Sequence, residues 1–169
     1  MKSKSELQFE REVIDYLTKI GGVKQWEYRS EIKTTNQLWN NFKHILEQNN
    51  RARLNSAHLS VTEFNQVKKV ISEIKSPYEA GQFLYGVNGV SEIEVDLDDG
   101  SHVFLTVFDQ AQVGGGNTVY QIVNQIERPK VIDGKPNRRF DVTLLINGLP
   151  IIQIELKKVL HNTAEALDQ

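Results

Sequence analysis

The run from Phe140 to Lys158, FDVTLLINGLPIIQIELKK, constrains this chain more than any other stretch. Two apolar-rich segments flank Asn147-Gly148, a dipeptide suited to a tight hairpin because both turn positions take positive φ. Thirteen residues separate Asp141, near the start of the first segment, from Glu155 of a Glu155-Leu156-Lys157 tripeptide in the second. Along a strand, residues i and i+2 share a face about 7 Å apart, so Glu155 and Lys157 point one way and Leu156 the other. Whether Asp141 joins them depends on register. A strict two-residue turn sets Asp141 opposite Ile154 and sends the two carboxylates to different faces. A longer loop, or one bulge in either strand, moves the pairing by one and sets Asp141 opposite Glu155. Pro150 favours such an irregularity, because a residue without an N–H is confined to strand starts, edges and bulges. In that register one face gathers Asp141, Thr143, Gln153, Glu155 and Lys157. The other gathers Val142, Leu144, Ile146, Ile152, Ile154 and Leu156, the pattern of a buried sheet face.

Two carboxylates so placed can hold Mg²⁺ through hard oxygen ligands, and a lysine two residues beyond the second can steady an attacking water or the charge on a phosphorane. The residue set is that of metal-dependent phosphodiester hydrolysis. A cross-strand charge pair on a solvated sheet uses the same letters and is commoner. The choice turns on Ile151, Ile152 and Ile154, which imply a largely buried second strand, where ionised side chains are costly unless paired or metal-bound.

Basic residues collect around this hairpin. From Arg128 to Lys158 there are seven Lys or Arg against three acids, a local balance of +4 in a chain whose net charge is −2. Arg138, Arg139 and Lys158 are thereby candidates for phosphate contacts, with Asn124 or Gln125 as further ones. The overall balance excludes a chain that coats nucleic acid with its whole surface. The absence of cysteine excludes disulfides and thiolate metal sites, and His44, His58, His102 and His161 have no ligand-like spacing. No apolar run reaches membrane-spanning length, and the polar start MKSKSELQFE lacks a signal-peptide core, so a cytoplasmic protein with no membrane partner is expected. At 169 residues and 39% hydrophobic content, one domain over 1–169 with a helical insertion around 31–86 is expected.

The first segment reads as an amphipathic helix with Phe9, Val13, Tyr16, Leu17 and Ile20 on its apolar stripe, ended by Gly21-Gly22. Glu6 and Glu10 fall on or beside that stripe, an unusual place for a carboxylate. Ser3-Lys4-Ser5-Glu6 is a capping-box pattern and accounts for Glu6. Glu10 lies past the first turn, which leaves it as the better candidate for an acid facing the site. Helices are expected over Glu31 to Gln48 and, after a Ser60-x-x-Glu63 capping box, over Val61 to Lys75. Arg51 and Arg53 lie in the polar connection between them. Ser76-Pro77 stops the third helix, and Tyr78 to Tyr85 forms a short further turn. A hairpin follows, Ser91 to Leu97 and His102 to Phe108, then a loop with Gly114-Gly115-Gly116 and a strand over Thr118 to Glu127. Asn162 with Glu165 caps a last helix running to Gln169.

The segments SELQFEREVIDYL, NTVYQIVNQI, NRRFDVTLLINGLPIIQIELKK and AEALDQ together resemble the amino-terminal nuclease region of type I restriction enzyme R (HsdR) subunits, within the PD-(D/E)xK superfamily. The resemblance implies an α/β, restriction-endonuclease-like fold with a mixed β-sheet flanked by helices. It implies an endonuclease cutting double-stranded DNA with Mg²⁺, fused in the full-length subunit to an ATP-dependent translocase and bound to methylation and specificity subunits. Carried over, Asp141 and Glu155 are metal ligands together with the Leu156 carbonyl, Lys157 is the catalytic lysine, and Glu10 is an accessory acid. Gln169 matches the first residue of a Gln-x-x-x-Tyr motif that contacts DNA, and the chain ends there. Phe140 stands where the superfamily name has proline.

Overall fold

A computed structural model describes residues 6–20, 26–114, 116–127 and 139–156, without the side chains of Glu6, Arg139 and Phe140. The first helix, α1, spans Glu6–Lys19. A three-residue strand, β1 (Trp26–Tyr28), is followed by α2 (Thr35–Asn49), α3 (Val61–Glu73) and α4 (Pro77–Tyr85). Then come β2 (Val90–Asp96), β3 (His102–Asp109), β4 (Tyr120–Glu127), β5 (Arg139–Ile146) and β6 (Leu149–Ile154). Capping boxes start α2, α3 and α4. Thr34 with Gln37, Ser60 with Glu63, and Ser76 with Glu79 each satisfy orphan N–H groups reciprocally. Ser76-Pro77, read as a stop, is thus also a start, with Pro77 in the first turn where its missing N–H costs nothing.

Four strands make a mixed sheet in the order β1-β4-β5-β6, with β1 parallel to β4 and the other neighbours antiparallel. β2 and β3 pair separately. Phe42 and Leu46 of α2 and Phe64 and Val67 of α3 cover β2 and β3 through Ile93, Val95, Val103, Leu105 and Val107. On the main sheet, Ile14 of α1 packs with Ile122, Val142 and Leu144. The opposite face packs Val123, Ile126 and Leu145 against Ile32 and Leu38, so β4 and β5 are buried on both sides. A reciprocal amide pair ties α2 to β4: Asn41 Nδ2 donates to Gln121 Oε1 at 2.8 Å and Gln121 Nε2 donates to Asn41 Oδ1 at 3.3 Å.

Two sequence expectations change here. The buried stripe of α1 is Glu10, Ile14 and Leu17, whereas Phe9 and Tyr16 are exposed. The helix is rolled so that it seats a carboxylate against β4, and the hydrogen bonds that permit this are invisible in apolar periodicity. The strand that leads to Glu155 is also less enclosed than its three isoleucines suggested. Among the described residues it is an edge of the sheet, with Ile151 38% and Ile152 48% exposed. β1 lies outside the expected elements, being too short to show a period, and the helix expected from Glu31 begins four residues later, because Thr34 caps α2.

Candidate functional site

The β5–β6 hairpin resolves the register question. Asn147 at φ 50° and Gly148 at φ 80° form the two-residue turn that their letters favour, and Ile146 pairs with Leu149 across it. A bulge then intervenes. Leu145 pairs with Pro150 but Leu144 pairs with Ile152, so Ile151 has no partner of its own, one residue past the proline. Beyond the bulge Thr143 faces Gln153 and Val142 faces Ile154. The next position in that register is Asp141 opposite Glu155. The backbone N–H of Leu156 donates to Asp141 Oδ2 at 2.6 Å, which draws the Asp141 carboxylate onto the end of β6. The turn is fixed from outside: the N–H of Asn147 donates to Val119 O at 2.8 Å, Val119 N–H donates to Asn147 Oδ1 at 2.9 Å, and Asn147 Nδ2 donates to Val107 O at 3.1 Å.

The expected division of faces holds only in part. Val142 and Leu144 are buried against α1, but Thr143 is buried as well, at 2% exposure, because α2 covers the other face. Asp141 is half-buried and Glu155 exposed, so both are approachable at the end of the hairpin. Their donor set suits a hard divalent cation: Asp141 on β5, anchored by the Leu156 N–H, and Glu155 one residue past the end of β6, with the Leu156 peptide next in the chain. Among the described residues no group of three His, Cys, Asp or Glu comes close enough to form a cage by itself. Lys157, Lys158, Arg138 and Gln169 lie outside the described residues, as does the expected helix capped by Asn162; Arg139 is the first residue of β5.

Glu10 is 4% exposed and stands in a polar cluster that the sequence reading did not assemble. Gln125 Nε2 donates to Glu10 Oε2 at 2.7 Å, and Asn124 Nδ2 donates to Glu10 Oε1. Tyr28 Oη donates to Asn124 Oδ1 at 2.9 Å, and the ammonium of Lys33 donates to the same oxygen and to Asn124 O at 2.9 Å. Burial lowers the Lys33 pKa, partly opposed by Glu10 and Glu31. Burial raises that of Tyr28, and the negative charge of Glu10 raises it further. Two adjacent strand residues reach the same carboxylate because Gln125 has φ 54°. That left-handed residue reverses the side of the strand, so that Val123 and Ile126, three apart, pack in one cluster. The β4–β5 ladder pairs Asn124 with Val142 and Ile126 with Phe140, and skips Gln125 and Asp141 between them. Asn124 and Gln125, read as possible phosphate contacts, are thus engaged with Glu10. The legible signal was a pair of amides interrupting the apolar run of β4.

Other polar candidates are structural. Arg53 Nη1 donates to Glu92 Oε1 at 2.6 Å and to Phe104 O, and Arg51 Nε donates to Ser56 Oγ at 3.3 Å. An apolar cleft of about 290 Å³, lined by Trp39, Phe42, Ile71, Leu149, Pro150 and Gln153 among others, contains no carboxylate.

Residues 3–169 match the family described as type I restriction enzyme R protein N terminus. The chain is 32% identical over its full length to the type I restriction enzyme SsaAORF53P endonuclease subunit of Staphylococcus saprophyticus, and covers 16% of that protein. It is 30% identical, again over its full length and 16% of the relative, to the SauMSSORF170P endonuclease subunit of Staphylococcus aureus. Over 73 residues, 43% of this chain and 21% of the relative, it is 36% identical to the EcoprrI endonuclease subunit of Escherichia coli. The chain thus spans about one sixth of the length of its staphylococcal relatives. With a mixed sheet flanked by helices and a match over almost every residue, this chain belongs to the family of type I restriction enzyme R protein amino-terminal regions, with a restriction-endonuclease-like fold.

Proposed function

We propose that this chain is the DNA-cleaving domain of a type I restriction endonuclease subunit, hydrolysing phosphodiester bonds of double-stranded DNA with Mg²⁺. The observations that support this most directly are the register beyond the Ile151 bulge, which pairs Val142 with Ile154 and if extended by one residue would set Asp141 opposite Glu155, and the hydrogen bond from the Leu156 N–H to Asp141 Oδ2. Asp141, Glu155 and the Leu156 carbonyl would hold the cation. When bound, Mg²⁺ supplies Lewis acidity and lowers the pKa of a water molecule. The Leu156 N–H keeps the Asp141 carboxylate turned toward β6. Lys157 would orient the attacking water and offset charge in the transition state. Arg138, Arg139, Lys158 and Gln169 would engage DNA, and contacts to phosphate position the duplex without specifying its sequence.

Sequence choice and ATP-driven translocation would belong to the rest of the subunit and to its methylation and specificity partners, in the cytoplasm. The test is plasmid cleavage by the complete subunit assembled with those partners. Asp141→Ala and Lys157→Ala should each abolish cutting while ATP-driven translocation continues. Cleavage at the wild-type rate in both variants would leave this region an inert DNA-binding or docking module.

A further inference from the structure

We propose that Gln125 is a positioning residue for the cation site, holding the Glu10 carboxylate so that it can accept from the water of a cation bound by Asp141 and Glu155. This rests on the reading of Asp141 and Glu155 as the ligand pair and of Glu10 as an acid that faces it. Gln125 occupies the position across from Asp141 where the β4–β5 ladder is interrupted. Its left-handed backbone, at φ 54°, is a conformation that disfavours a long side chain and asks for a compensating contact. That contact is the 2.7 Å hydrogen bond from its amide to Glu10 Oε2.

The rest of the cluster acts on the same carboxylate. Asn124 takes the second Glu10 oxygen and is itself held by the Lys33 ammonium and the Tyr28 hydroxyl. The carboxylate is thus pinned by donors from β4, and these are braced by β1 and by the segment leading into α2. An ionised carboxylate has about four acceptor directions. With one bond on each oxygen from Gln125 and Asn124, Glu10 retains acceptor capacity for a cation's water. Groups of this kind, which touch the ligand shell and not the metal, are worth roughly 10–100-fold in metal affinity.

Glycine separates the backbone contribution from that of the amide. Gln125→Gly accepts positive φ without strain and removes only the side chain. Mn²⁺ binding to the full 169-residue chain would be measured by calorimetric titration for wild type, Gln125→Gly, Glu10→Gln, the double variant and Asp141→Ala, with a melting curve for each. Gln125→Gly should weaken Mn²⁺ about tenfold or more, and should add little in the Glu10→Gln background, because the two act as one unit. A melting temperature near wild type would accompany that loss. Affinity within twofold of wild type in Gln125→Gly, with Asp141→Ala inactive in binding, would overturn this inference and leave the ligand pair intact. Should Gln125→Gly fail to fold, Glu10→Gln carries the same decision alone: unchanged Mn²⁺ affinity there overturns it. Wild-type affinity in Asp141→Ala would remove the ligand pair itself, and this inference with it.

Discussion

Replacing Glu10 with alanine tests the least expected feature of the fold, a carboxylate buried at 4% exposure on the inner face of α1. The substitution removes the acceptor for two amide donors, Asn124 Nδ2 and Gln125 Nε2. Asn124 cannot turn its oxygen inward instead. Asn124 Oδ1 already accepts from Lys33 and Tyr28, so a flip would set its NH₂ against two donors. Each orphaned donor costs about 1–3 kcal/mol, with the lower end apt here because both amides are only half-buried. Release of the carboxylate's own burial penalty offsets part of this, while the void left beside Ile14 adds to it. The net is a loss of about 2–4 kcal/mol. For a chain of this length that corresponds to a fall of roughly 4–16 °C in melting temperature, measured by calorimetry without added metal. Glu10→Gln keeps one acceptor oxygen and should lose about half as much. Both variants remove a charge that raises the Tyr28 pKa, so that phenol should titrate closer to its ordinary value of 10.0 in tyrosine-labelled NMR. A melting temperature within about 1 °C of wild type in Glu10→Ala would refute the placement of this carboxylate.

Gly148→Ala should destabilise the hairpin tip on two counts, its φ of 80° and a Cβ that would meet Phe42 Cα at 2.8 Å; we expect a loss of about 1–3 kcal/mol, read from urea melts. Glu47, 9% exposed, carries an acid-sensitive share of stability. Burial pushes its pKa up, but hydrogen bonds from His58, the Leu59 N–H and Lys43 outweigh this and hold it below the ordinary 4.5. Its contribution is therefore full above pH 4.5 and is lost as pH falls through the lower folded value. Glu47→Gln should be less stable than wild type at neutral pH and converge on it in acid; parallel stability curves would contradict this.

The sheet and the helices were legible because their signals are local. Ser60 and Glu63 announce α3, and Asn147-Gly148 announces the turn between β5 and β6. The alternation of Ile93, Val95 and their partners Leu105 and Val103 announces the β2–β3 hairpin. The bulge was legible as a requirement, since Asp141 and Glu155 can share a face only if one residue is absorbed, and Pro150 marked where. The Glu10 cluster was not. Its members come from α1, β1, the segment after β1 and β4, up to 115 residues apart, and nothing local joins Gln125 to Glu10. The same long-range bonds explain why the apolar stripe of α1 misled. Periodicity counts methylenes, whereas the roll of this helix is set by where a carboxylate finds two amides.

The single unpaired residue in β6 divides the hairpin into two pieces whose alignments are set independently. The tip obeys the Asn147-Gly148 turn and its anchors on Val119, Val107 and Phe42. The base obeys the Asp141–Leu156 contact. Ile151 is the slack between them. Its removal would leave Leu145 facing Pro150 and Leu144 facing Ile152 as before, now in an unbroken ladder. The hairpin is therefore indifferent to losing this residue and sensitive to gaining one anywhere between Pro150 and Glu155, which no simple ladder could absorb. Length variation in this protein's relatives should respect that asymmetry: the connection can shorten by one without parting the two acids, but an added residue would need a second kink to bring them back together.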